Sequence, residues 1–148
     1  MQKYNNKKLK MSIAQAFESG EQKQNKAHLE NLIAVALTDG VIVDSEKQLL
    51  VKYARRMSIS DVVFEEMLKG SHNYAMNPPM DKEDRYKRFF HLIEVMLSDN
   101  IEGEKQDRLI HSYAIGLGYS EDQTEELYEK TIRFVKDKVD FQDAFKLI

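Results

Sequence analysis

Apolar residues recur along this chain at the spacing of an α-helix. Leu29, Leu32, Ile33, Ala36 and Leu37 follow the order i, i+3, i+4, i+7, i+8. Tyr86, Phe89, Phe90, Ile93, Met96 and Leu97 keep the same register, as do Leu109, Ile110, Tyr113, Ala114 and Leu117. Each set lays one apolar stripe along a helix. No segment sustains the apolar–polar alternation of a half-buried strand, so the pattern predicts an all-α fold.

The breaks between stripes are also legible. Gly40 follows a helical run and suits the left-handed position at a helix C-terminus. Ser45 with Gln48, and Ser120 with Gln123, read as capping boxes, in which the hydroxyl takes one free backbone N–H and the amide reaches back to another. Ser60 reads as a further N-cap. Asn77-Pro78-Pro79 closes one segment, and Asp81 opens the next, with acids in the first turn where the helix dipole favours them.

A sixty-residue shift brings the two halves of the chain into register without a gap. Leu32, Ile33, Val35, Leu37 and Asp39 fall on Leu92, Ile93, Val95, Leu97 and Asp99. Leu49, Tyr53, Ala54 and Ser60 fall on Leu109, Tyr113, Ala114 and Ser120, and Glu65-Glu66 on Glu125-Glu126. Amphipathic helices in general account for the leucines. They account less well for the Asp, the Tyr-Ala pair and the Ser cap, all in one frame. The expectation is therefore one domain over 1–148 with about seven helices in two pseudo-repeated units packed around one core. An N-terminal helix occupies 1–20, unit one 24–75, unit two 81–138, and a C-terminal segment 139–148. Each unit reads as helix, acidic loop, helix, Ser-capped turn, helix.

Composition narrows the function classes. The 148 residues are 42% hydrophobic and 32% charged, which places the chain among folded globular proteins. A net charge of −3, with no basic face, argues against nucleic acid as a partner. The absence of Cys excludes disulfides, thiolate zinc sites and cysteine nucleophiles. No apolar run reaches the roughly 18 residues of a membrane span, and the basic N-terminus lacks the apolar stretch of a secretory signal. The expected location is cytoplasmic, with no membrane insertion.

The candidate chemistry lies in one loop, Asp39-Gly40-Val41-Ile42-Val43-Asp44-Ser45-Glu46. Its end looks like half of a calcium-binding EF-hand, but Val35 and Leu37 stand where that loop needs its first oxygen ligands. The segment Ala-Leu-Thr-Asp-Gly-x-Ile-x-x-x-Glu at 36–46 instead resembles the TerB family, the tellurite-resistance protein B type of domain. The helix leading into Met57-Ser58-Ile59-Ser60 extends the resemblance, and Met96 to Asp99 and Leu117 to Ser120 echo it. The resemblance covers about residues 24–138. It implies two pseudo-symmetric helical halves, an acidic cluster that binds metal, and a role in stress or tellurite-resistance processes. Asp39, Gly40, Ile42, Asp44 and Glu46 match the pattern. The second half keeps Asp99 and places Glu104 on Asp44, but Asn100, Glu102 and Gln106 replace the Gly, the Ile and the distal Glu.

Two readings follow. In the first, Asp39, Asp44 and Glu46, joined by Asp99 and Glu104, hold a divalent cation (Ca, Mg or Mn), as convergent carboxylates do. In the second, the same acids only cap helices and the chain is a metal-independent interaction or scaffolding domain. Neither is an enzyme; a third reading, a metal-dependent hydrolase using the acidic loop, stands behind them, and no phosphate loop, nucleophile elbow or H-E-x-x-H is present to support it. Arg88 and Arg108 stand where a bundle metal site would place Glu before His91 and His111. His28 and His72 read as lying near segment ends. A protein partner is expected, and self-association is open. Tyr74, Met76 and Met80 form either a contact surface or a staple over the two units. Phe141, Ala144, Phe145, Leu147 and Ile148 either dock on the core or pair with another copy.

Overall fold

The apolar stripes become helix faces turned to one interior. In the computed structural model, residues 20–98 and 104–148 are described, apart from the side chains of Asp39, His72, Glu104 and Lys105. The expected helix before Gly20 lies outside them. Seven α-helices and no strand occur among the described residues. Helix α1 spans residues 20–36. Its described part runs ahead of the apolar stripe through Glu21, Gln22, Lys23 and Gln24, all good helix formers. A 3₁₀ turn, Leu37–Asp39, follows, and Gly40 at φ +92° stops it as expected. Then come α2 (Asp44–Arg56), α3 (Asp61–Lys69), a 3₁₀ turn (Ser71–Asn73), α4 (Lys82–Ser98), α5 (Glu104–Gly116), α6 (Glu121–Lys136) and α7 (Phe141–Leu147).

The connections α2–α3, α5–α6 and α6–α7 are one and the same corner. Each helix ends in a double hydrogen bond of the Schellman type. Ser58 and Ile59 donate to the carbonyls of Arg55 and Ala54, Gly118 and Tyr119 to those of Ile115 and Ala114, and Lys138 and Val139 to those of Val135 and Phe134. The middle residue is left-handed in all three, with φ of 59° at Ser58, 108° at Gly118 and 58° at Lys138. One apolar residue follows, then an N-cap: Ser60, Ser120 or Asp140, whose side chain accepts from Val63, Gln123 or Asp143. Lys138 carries a Cβ in a conformation that glycine adopts freely, so Lys138→Gly is expected to stabilise the protein by about 1 kcal/mol. Thermal unfolding should show a rise of about 3 °C; a fall would mean that the Lys138 stem holds the corner by packing.

Helix α4 is the centre of the fold. It packs on α2, α5, α6 and α7. Tyr86, Phe89, Phe90, Leu92, Ile93, Val95 and Met96 are all buried on it, covering more of its circumference than one stripe. Helix α1 closes the core with Leu29, Leu32 and Ile33. The extended link before α4 is tied to α1 by Asn31, which donates to the Asn77 carbonyl and accepts from the Asn77 N–H, both at 2.9 Å. Tyr74 and Met76 pack against the core, and Met76 lies over Gly116, so the staple is what forms there. Met80 stays 96% exposed.

Helix α7 is shorter than the roughly 12 residues an isolated helix needs. It survives by docking. Phe141 and Phe145 stack on Tyr86 at 5.9 and 6.2 Å between ring centroids, Phe141 meets Phe90 edge-on at 5.7 Å, and Ala144 is fully buried. Phe141, Ala144 and Phe145 of the C-terminal stripe thus lie on the chain's own core, while Leu147 and Ile148 stay exposed.

Candidate functional site

The acidic loop is first of all the start of a helix. Val43 occupies the N-cap of α2, so Asp44 is the first helical residue and Glu46 the third. The Val43 N–H donates to Glu46 Oε1 at 3.2 Å. Valine has no side-chain acceptor, so only this half of a capping box exists. The expected box of Ser45 with Gln48 does not form. Ser45 lies inside the helix, and its carbonyl accepts from Gln106 Nε2 at 3.1 Å. Gln106, the second-half counterpart of Glu46, is buried and joins the start of α5 to the start of α2. Asp44 is exposed. Asp39 ends the 3₁₀ turn and Glu104 begins α5, with both side chains outside the described atoms; Asp99 lies wholly outside the described residues. Among the described residues no group of three His, Asp or Glu side chains is arranged to hold a metal ion.

A second polar feature sits in the core. Tyr53, Tyr113 and His28 are buried; the Tyr113 hydroxyl and His28 Nδ1 have no hydrogen-bond partner among the described residues, whereas the Tyr53 hydroxyl lies within hydrogen-bonding influence of the Arg88 guanidinium. Arg88 and Asp84 lie close enough to influence all three electrostatically, and Arg88 is itself held by Asp84 Oδ1 at 3.2 Å. Burial, and secondarily Arg88, lowers the His28 pKa from 6.5 to about 4. Burial pushes Tyr53 up to about 12 and Tyr113 well above its ordinary value. The sixty-residue shift relates Tyr53 to Tyr113 and also His28 to Arg88. His28 is therefore not a segment end but a mid-helix core residue. The shift itself could have located it, had the register been followed four residues before Leu32.

His91 and His111 have local contacts. His91 Nε2 lies 3.9 Å from Glu94 Oε1. His111 Nδ1–H donates to the Asp107 carbonyl at 2.7 Å while its ring lies against Tyr128.

Two grooves mark the surface. One, of about 470 Å³, runs between α2, α4 and α6 past Arg56, His91, Glu94 and Lys136. There Arg56 donates to Ser98 Oγ at 2.8 Å, and burial raises the Glu94 carboxyl pKa. The other, of about 600 Å³, lies between α4, α6, α7 and the α5–α6 corner. Neither was evident from the sequence, because each draws its lining from helices far apart in the chain. No helix among the described residues is long and apolar enough to cross a membrane. Set against known proteins, the chain matches no family model, no curated protein and no solved structure.

Proposed function

We propose that this chain is a non-enzymatic interaction domain of the TerB-like type, that it works without a metal, and that its loop acids serve to start helices. One observation carries this reading: the Glu46 carboxylate, the distal acid of the loop, accepts from the Val43 N–H. A carboxylate so placed satisfies a free donor at the helix end and complements the dipole, and its geometry has a sufficient cause in folding. The two-unit architecture is part of the same proposal. It is supported by α2 and α5, α3 and α6, and their corners, all beginning sixty residues apart. The resemblance supplies a role in stress or tellurite resistance as the setting; a protein partner and a cytoplasmic location belong to the same proposal.

A second reading keeps a divalent cation at the paired starts of α2 and α5. The contact that favours it is Gln106 to the Ser45 carbonyl, which holds those two acid-bearing helix ends together.

Substitutions at Glu46 separate the two. Under the interaction reading, Glu46→Gln keeps an acceptor and is nearly neutral, whereas Glu46→Ala loses about 1 kcal/mol with or without ions. Thermal unfolding of chelator-treated protein should then be indifferent to added Ca²⁺, Mg²⁺ or Mn²⁺. A cation at a hundred times its Kd would add about 2.7 kcal/mol. Such a gain, absent in Glu46→Gln and Asp44→Asn, overturns the interaction reading in favour of the metal one.

A further inference from the structure

The larger groove is lined by three cations, two of them unpaired among the described residues. Among its three cations, Lys130 is paired with Glu126 at 2.9 Å. Lys82 and Arg85, on the first turn of α4, have no carboxylate partner among the described residues. Arg85 is half-buried, and its Nη1 lies 3.8 Å from where a side chain on Gly118 would begin. Its charge acts on the neighbouring Tyr119 hydroxyl. The lining also has apolar members: Leu127 from α6, Phe145 from α7, and Ile148 just past the end of α7. Leu147 and Ile148 remain 61% and 43% exposed beside it.

We infer that this groove docks an acidic segment of a partner protein, in which carboxylates alternate with large apolar side chains. That the occupant is a partner protein rests on the interaction reading above; the groove adds the partner's chemistry. A guanidinium half withdrawn from water binds a carboxylate more strongly than one in bulk solvent, and its planar fork favours carboxylate geometry. The apolar lining gives the same segment a place for Leu or Phe side chains. The rim is open, with Lys82, Gln123 and Glu126 exposed. A small ligand there would stay largely in water, whereas binding sites for small molecules enclose most of their ligand. A chain segment continues past the open rim and buries more than the groove itself.

The test is fluorescence anisotropy on the full chain. The probe is a short fluorescein-labelled peptide alternating Asp and Glu with Leu and Phe. One control peptide carries Lys for the acids; another carries Ser for the apolar residues. The expected result is saturable binding of the first peptide alone, weakened by salt. Lys82→Gln with Arg85→Gln should weaken it about tenfold, and Arg85→Lys, which keeps the charge, should lose less. Lys136→Gln, in the other groove, should change nothing. Circular dichroism confirms that each variant is folded. No saturable binding, or equal binding of the Lys peptide, overturns the proposal. Binding that is indifferent to Lys82 and Arg85 also overturns it, yet leaves the interaction reading standing. A cation-linked stabilisation lost in Glu46→Gln removes the interaction reading whatever the peptide does.

Discussion

Acidification from pH 7 to pH 4 should cost this protein about 3 kcal/mol of folding stability through His28 alone. The side chain is 7% exposed, and its pKa falls from 6.5 in the unfolded chain to about 4 in the fold. Below pH 6.5 the unfolded chain therefore binds a proton that the folded chain refuses. Stability is fully present above that pH and drains away as the pH falls towards 4. Burial is the principal cause. Arg88, beside it, repels the imidazolium as well; Asp84 opposes that effect, and His91 adds to it. His91 is displaced in the same direction by burial and then by Arg88 and Lys87, but its side chain is 41% exposed and solvent screens much of the effect. The measurement is urea unfolding at a series of pH values between 7 and 4.5. His28→Leu should flatten the curve over that window. An equal slope in the variant would place the acid sensitivity elsewhere.

Removing a hydroxyl from Tyr86 and from Tyr113 should move stability in opposite directions, although both rings are fully buried. Tyr86 shares a hydrogen bond of 3.0 Å with Thr131 Oγ1, also fully buried. Tyr86→Phe leaves the Thr131 hydroxyl alone in the core, at a cost of about 2 kcal/mol. The Tyr113 hydroxyl has no such partner among the described residues. Tyr113→Phe removes a buried polar atom that gains nothing from folding, and should stabilise by about 1 kcal/mol. Urea midpoints at unchanged slope report both. A loss at Tyr113 would reveal an internal water bridging its hydroxyl to His28 or Tyr53, since orphaned core groups commonly share one.

The helices were readable because each carries an apolar stripe long enough to fix its period, and because Gly40, Ser60 and Ser120 are strong local signals. The start of α2 was misplaced by two residues for a tertiary reason. Ser45 looks like a cap, but Gln106, from another helix, takes its carbonyl and leaves capping to Glu46. The corner before α7 was invisible for a different reason. Its left-handed residue is Lys138, and nothing about a lysine marks that conformation. Of the acidic residues, the sequence placed Asp44 and Glu46 in the first turn of α2, where they lie, but it did not contain how the acids are arranged in space. The core cluster around Arg88 and the cationic groove depend on which helix lies beside which. That choice is made by packing on α4, and local periodicity does not contain it.

The repeated corner constrains how the length of this chain can change. Each corner fixes the direction of the next helix relative to the last turn of the one before, through hydrogen bonds made entirely within the connection. Adding one residue inside α2, α5 or α6 turns everything downstream by about 100°, and the following helix would present its polar face to the core. Insertions and deletions there are tolerable only near whole turns, in steps of three or four residues. The links at 37–43 and 70–81 carry no such corner. Natural length variation, and any engineered tag or loop insertion, is best accepted in the first of these links, and in the second only around exposed Met80, beyond the Tyr74, Met76 and Asn77 contacts.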